Sequence, residues 1–193
     1  MSDRIREHDV TLRGERIVLR PLTEDDWPTL LRWNSDPEVL YFAEGDDVQA
    51  YSLKEVQGIY RGVSQTAFCF MMELDGRPVG ECWLQRMNLP RILEQYPDQD
   101  CRRIDLLIGE KALWGQGLGT EAIRLLCRFG FETETADAIF GCGVADYNPR
   151  SRRAFENVGF LVCAEVEQPP GAKGRRSYDL VLTRERWREL TPE

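Results

Sequence analysis

Histidine is nearly absent from this chain. His8 is the only one, and none of the six cysteines (Cys69, Cys82, Cys101, Cys127, Cys142, Cys163) stands in a C-x-x-C pair. A structural zinc centre would need four such ligands at close spacing, so no metal is expected. No apolar run approaches the ~20 residues that a membrane-crossing helix requires. The opening stretch, MSDRIREHDVTLRGERIVLR, is too charged for a secretory leader. Basic residues are outnumbered, 25 Lys plus Arg against 33 Asp plus Glu, giving a formal net charge of -8. That balance argues against nucleic acid and anionic membranes as partners and suits a small cationic one. Several cysteines lie inside apolar runs, as buried thiols do in a reducing cytoplasm. Neither a repeat nor a low-complexity linker interrupts the chain, so one domain over residues 1–193 is expected, acting as a monomer or a homodimer.

The sequence does have material for a core: 42% of its 193 residues are hydrophobic. Apolar patterning predicts strands at Ile17 to Leu22, Ala67 to Leu74, Pro78 to Leu84, Arg103 to Ile108, Ala138 to Val144, Phe160 to Val166 and Ser177 to Leu182. Thr23 with Asp26 and Ser52 with Glu55 are capping signals for two early helices. The first runs through Trp33 and is broken at Asp36 and Pro37; the second runs to about Arg61. Leu118 to Phe131 repeats apolar residues at helical spacing, Asn148-Pro149 opens a further helix that Gly159 ends, and Thr183 caps a short last one. Asn88 to Asp100 reads as a proline-punctuated loop beside the working face. Strands and helices alternate into a mixed α/β sheet with helices on its faces.

Chemistry concentrates in RRIDLLIGEKALWGQGLGTEAIRLL. A strand ends, Gly115, Gly117 and Gly119 follow at alternate positions, and a helix begins at once. Glycines allow positive φ and close backbone approach, and the first turn of the helix exposes amides at its positive end. Together these make a cradle for a diphosphate. The segment lacks the Gly-Lys-Ser/Thr of a Walker loop and does not match the dinucleotide G-x-G-x-x-G. A second segment, N148-P-R-S-R-R-A-F-E-N-V-G-F160, sets Asn148, Ser151 and Phe155 on one helix face.

These two segments resemble the acetyl-CoA motif of the Gcn5-related N-acetyltransferase superfamily, Q/R-x-x-G-x-G/A, and its second conserved helix. Trp114 stands in the first position, as in the W-G-x-G-x-G/A form, and the resemblance covers roughly Leu12 to Leu190. It implies a mostly antiparallel sheet of six to seven strands, splayed at two parallel strands. It also implies acetyl-CoA as co-substrate, held by Leu106, Leu107, Ile108, Trp114, Gly115, Gln116, Gly117, Leu118, Gly119, Thr120, Asn148, Ser151 and Phe155. Free backbone groups of Leu106 to Ile108 would grip the pantetheine and face the oxyanion.

A neutral amine must attack, so a carboxylate has to take its proton. Asp105 interrupts the apolar run I-D-L-L-I and is the leading base, since a charge there needs a task or a partner such as Arg102 or Arg103. Glu81 is either a substrate contact or an exposed strand residue. Asp98, Asp100 and Asp146 are loop acids, either solvated surface or, if they ring the pocket, an attraction for a polycation. Trp33, Tyr41 and Phe42 either wall the acceptor site or belong to the core. Phe155 replaces the tyrosine that the superfamily commonly uses as general acid, leaving the departing thiolate to solvent. Within the superfamily the chain is most similar to aminoglycoside 6′-N-acetyltransferases, through Glu38 to Asp47, Ser52 to Gln57, Leu74 to Gly80, Arg103 to Leu107 and Gly117 to Glu121. Acetylation of a protein N-terminus or another small amine, and non-catalytic acyl-CoA binding, are the alternatives.

Overall fold

Both capping signals act where the sequence places them. In the computed structural model, which describes residues 3–43 and 50–192, the Thr23 amide donates to the Asp26 carboxylate at 2.9 Å. A 3-10 turn (Glu24–Asp26) then leads into α1 (Trp27–Trp33). Ser52 and Glu55 cap each other at the head of α3 (Leu53–Ser64). The expected break at Asp36 and Pro37 is present, α1 ending at Trp33, but a helix that the sequence did not announce follows it at once. Proline lacks an amide and has a fixed φ, which suits the first position of a helix, and Pro37 opens α2 (Pro37–Ala43). Asp36 caps it, accepting from the Glu38 amide at 2.9 Å. The stretch Glu38 to Asp47 runs into residues 44–47, which lie outside the described residues.

Eight strands form one sheet: β1 (Leu12–Arg13), β2 (Ile17–Pro21), β3 (Ala67–Leu74), β4 (Arg77–Arg86), β5 (Cys101–Ile108), β6 (Ala138–Ala145), β7 (Leu161–Glu167) and β8 (Arg176–Thr183). They lie in the order β1-β2-β3-β4-β5-β6-β8-β7, mostly antiparallel with one parallel pair, β5 and β6. The strand beyond the expected six to seven is β1, whose two residues are too few for alternation to reveal. Asp75 (φ 51°) and Gly76 (φ 72°) turn β3 into β4 in the left-handed conformation that a tight hairpin demands.

The chain divides into two compact units, Met1–Trp83 with Leu106–Leu118, and Leu84–Asp105 with Gly119–Glu193. In the first, Leu22, Leu30, Trp33, Val56, Tyr60, Met71 and Leu107 form the buried cluster. Gly109 lies flat against Trp33; a Cβ there would stand 2.1 Å from the indole. Gly109→Ala is therefore expected to cost about 1–3 kcal/mol by overpacking, a fall of about 2–12 °C in Tm for a chain of this size. A thermal melt matching wild type would show that the indole can move aside.

In the second unit, α5 (Leu118–Arg128) passes into a π-helical turn (Phe129–Thr133), so the helix expected to reach Phe131 changes pitch at its end. Gly130 of that turn meets Ile139 closely enough that a Cβ would approach to 2.7 Å. The Asn88 to Asp100 segment is not wholly loop. Pro90 starts one helical turn, α4 (Pro90–Leu93), which drives Ile92 into a cluster with Met87, Cys101, Ala138 and Phe140. Two further helices, α6 (Pro149–Glu156) and α7 (Arg184–Leu190), follow Asn148 and Thr183, whose side chains cap them.

Cys69, Cys82, Cys101 and Cys127 are buried, Cys142 is half-buried and Cys163 is exposed. Burial raises the thiol pKa to about 12 at Cys69 and Cys142 and to about 11 at Cys101. It pushes Cys82 and Cys127 well above the ordinary range. No described helix is long and apolar enough to cross a membrane.

Candidate active site

The glycine turn leaves the end of β5 through a 3-10 turn, Lys111–Leu113. Gly115 (φ 77°) and Gly117 (φ 83°) both adopt the left-handed conformation, which only glycine takes without strain, and α5 starts at Leu118. The sequence therefore needs glycine at these two positions to aim the backbone into the first turn of α5, where helical geometry leaves amides without intrahelical acceptors. Trp114 braces the turn: its indole N–H donates to the Ile108 carbonyl at 2.7 Å, and Phe42 packs edge-on against its ring. Gln116 donates from its side chain to the Ala112 carbonyl at 2.8 Å. The Ile108 carbonyl thus already accepts one of the two hydrogen bonds that its lone pairs allow.

The parallel ladder of β5 and β6 pairs Cys101 with Ala138, Arg102 with Ile139 and Arg103 with Phe140. Both strands continue past these pairs. Asp105 lies just beyond the last of them and is partly exposed. Arg103 forks onto it, Nε to Oδ2 at 2.8 Å and Nη2 to Oδ1 at 2.9 Å, and also reaches Asn88 at 3.3 Å. The pairing with Arg103 that the sequence allowed is thus present.

Asp98 and Asp100 precede β5 at its N-terminal end. The Asp100 amide donates to the Asp137 carboxylate and the Asp137 amide returns to the Asp100 carbonyl, each at 2.9 Å. Asp100 and Asp137 therefore tie together the N-terminal ends of β5 and β6. The Asp100 carboxylate is also forked by buried Arg102, at 2.6 and 2.8 Å. Asp146 does follow the C-terminal end of β6, but its Oδ2 accepts from the amides of Arg175 and Arg176 at 3.1 and 3.2 Å. That holds the turn before β8.

Glu81 is no exposed strand residue: it is 3% exposed. Tyr60 from α3 lies close to it, and the Tyr60 hydroxyl accepts from Asn34 at 3.3 Å. Burial, then the nearby Glu81 charge, raise the Tyr60 pKa well above its usual value. Of the two places open to Trp33 it takes the core: it is 1% exposed, and its indole N–H donates to Glu110 at 3.0 Å. Tyr41 is 49% exposed and packs edge-on against Phe42. Phe155 is likewise a core residue, 2% exposed, its ring against Gly141 and Phe160. Asn148 is the cap of α6, accepting from the Ser151 amide at 3.2 Å.

Sequence reasoning missed a buried acid. Asp179 on β8 is 1% exposed, forked by Arg91 of α4 at 2.9 Å on both oxygens, and accepts the Gly143 amide at 2.8 Å. Gly143 has φ 67° where the β6–β8 register shifts, so Asp179 fixes a bulge in β6. Its signal was the one that exposed Asp105, a lone acid within an apolar strand.

Residues 16–161 match the model of the acetyltransferase (GNAT) domain. The chain belongs to the GNAT acetyltransferase family. This acetyltransferase is 25% identical over 167 residues to "Aminoglycoside N(6')-acetyltransferase type 1" of Klebsiella pneumoniae, covering 84% of this chain and 82% of that protein. It is also 25% identical over 157 residues to "Alpha/beta-tubulin-N-acetyltransferase 9" of Mus musculus, covering 77% and 63%. Its fold matches AAC(6')-Ib in complex with ribostamycin and coenzyme A, with TM-score 0.78, 24% identity, and 93% and 99% of the two chains covered. An acetyl-CoA-dependent GNAT acetyltransferase thus accounts for the strand–glycine turn–helix arrangement.

Proposed function

We propose that this acetyltransferase moves the acetyl group of acetyl-CoA to a primary amine of a cationic small molecule of the aminoglycoside class, acting as one catalytic domain in the cytoplasm. The observation that carries the cofactor part is the pair of left-handed glycines, Gly115 and Gly117, leading straight into α5. Amides of that first helical turn would take the diphosphate. Leu118, Gly119 and Thr120 belong to this cradle, while Leu106 and Leu107 supply backbone groups to pantetheine and to the oxyanion. Asp105 removes the proton from the attacking amine, directly or through a water. The thiolate then leaves to solvent, because Phe155 has no proton to give.

The amine class rests on the resemblance to aminoglycoside enzymes and on the formal charge of -8. One observation favours a second reading. Arg103 sits on Asp105 and offsets its charge, which suits a peptide N-terminus with a single amine better than a polyamine. Thiol release from acetyl-CoA decides between them. Turnover with kanamycin-type acceptors is expected, whereas turnover with peptides alone would move the assignment to N-terminal acetylation, and binding without turnover would leave an acyl-CoA-binding module.

Capture of a polycation should also respond to salt, since exposed charges are screened over about 8 Å at physiological ionic strength. The KM for an aminoglycoside is expected to rise with salt. Because Asp98 lies toward the N-terminal ends of the parallel strands, Asp98→Asn should leave that dependence unchanged. A flattened profile in this variant would return the Asn88 to Asp100 segment to the acceptor site.

A further inference from the structure

From Trp114 to Thr120 the turn carries no charged side chain, yet the ligand proposed for it brings a diphosphate to a chain that is itself acidic. Backbone amides and a helix dipole offer only partial charges. A full positive charge comes from far away in sequence. The hairpin joining β1 to β2 closes with the Gly14 amide on the Ile17 carbonyl at 2.9 Å, which sets Arg16 at its tip. Arg16 Nη1 donates to the Gln116 carbonyl at 2.9 Å. Its Nη2 lies 3.4 Å from the point where a Cβ on Gly117 would stand. The guanidinium therefore lies along the two residues that carry the backbone into α5.

We propose that Arg16 is a phosphate-binding residue of this acetyltransferase: its guanidinium, which holds the glycine turn through Gln116, also meets the diphosphate of acetyl-CoA. A planar guanidinium can serve a carbonyl and a phosphate oxygen at once, which the single ammonium of lysine does less well. The Gln116 carbonyl, which points a negative partial charge near the anion's place, is tied off by the same group. This inference rests on the reading of the glycine turn as the cofactor cradle.

Binding of coenzyme A, dephospho-coenzyme A (which keeps the diphosphate and lacks the 3′-phosphate) and pantetheine (which lacks both) tests it in the wild-type chain, Arg16→Gln and Arg16→Lys. Arg16→Gln is expected to weaken coenzyme A and dephospho-coenzyme A by the same factor, about ten- to hundredfold for a lost charged hydrogen bond. Pantetheine should bind the two proteins alike, the slope of affinity against salt should be shallower in Arg16→Gln, and Arg16→Lys should recover part of the loss. In turnover the effect should fall on the KM for acetyl-CoA rather than on kcat. Dephospho-coenzyme A binding that ignores the substitution would overturn the assignment to the diphosphate. Equal weakening of pantetheine, or an unchanged salt slope, would make Arg16 only a brace for the turn. Failure of the wild-type chain to bind coenzyme A would instead sink the cradle itself.

Discussion

Acetyl-CoA at a hundredfold over its Kd is expected to raise the Tm of the wild-type chain by about 5–10 °C, and Gly117→Val should erase the rise. A ligand bound only by the native state at that excess contributes about 2.7 kcal/mol, and each kcal/mol moves a chain of this size by about 2–4 °C. Gly117 has φ 83°, a conformation that a β-branched residue adopts at a cost of about 1–3 kcal/mol. The variant will therefore melt earlier without ligand, and its own unliganded melt is the proper baseline. Space for the side chain itself exists, the nearest atom being Nη2 of exposed Arg16 at 3.4 Å from the Cβ position. Lost ligand response with a cooperative melt retained is the expected pattern. A folded Gly117→Val protein with the full wild-type shift would remove the turn from the cofactor site.

Asp105→Asn should lower kcat/KM by about 10²–10⁴-fold, the usual loss on removing a general base, while coenzyme A affinity stays near wild type. The Arg103 fork makes the comparison with Arg103→Gln informative. If Asp105 serves only as the partner of Arg103, the two substitutions remove the same ion pair and should do similar, modest harm. If Asp105 takes the proton, Asp105→Asn should be far the worse, because Arg103→Gln leaves the carboxylate in place. A loss below tenfold in Asp105→Asn would make it a structural partner and turn attention to Glu81, whose carboxylate is buried beside Tyr60.

Local physics carried most of the fold into the sequence. Ala67–Leu74 is a strand to the residue where apolar patterning placed it, and the Ser52–Glu55 capping box is made as written. Pro37 marked the end of α1 but not the start of α2, because proline both stops one helix and starts another, and only the following residues decide. The glycine turn was legible because positive φ leaves a mark in residue type. Burial was not. Glu81 looks like any outward strand residue until Tyr60 of α3 is laid over it, and Trp33 becomes core only once Gly109 lies against it. Asp98 and Asp100 precede β5 in sequence, so their end of the strand was readable, but which end of the ladder opens was not. Arg16 meets Gln116 across 100 residues, a separation at which residue spacing carries no information.

The buried cysteines bear on how this enzyme can be handled. Thiol reagents and oxidants attack the thiolate, and at pH 8 a group with a pKa of about 12, as at Cys69 and Cys142, exposes roughly one part in ten thousand of it. Even Cys163, the exposed one, is raised, by partial burial first and by Asp179 next, and its Sγ–H donates to the Asp179 carbonyl at 3.2 Å. Native protein should thus take up a chromogenic disulfide slowly, while denatured protein consumes six equivalents at once. Coenzyme A released by turnover, with an ordinary thiol pKa near ~8.5, is read against a chemically quiet background, and any fast protein signal reports unfolding.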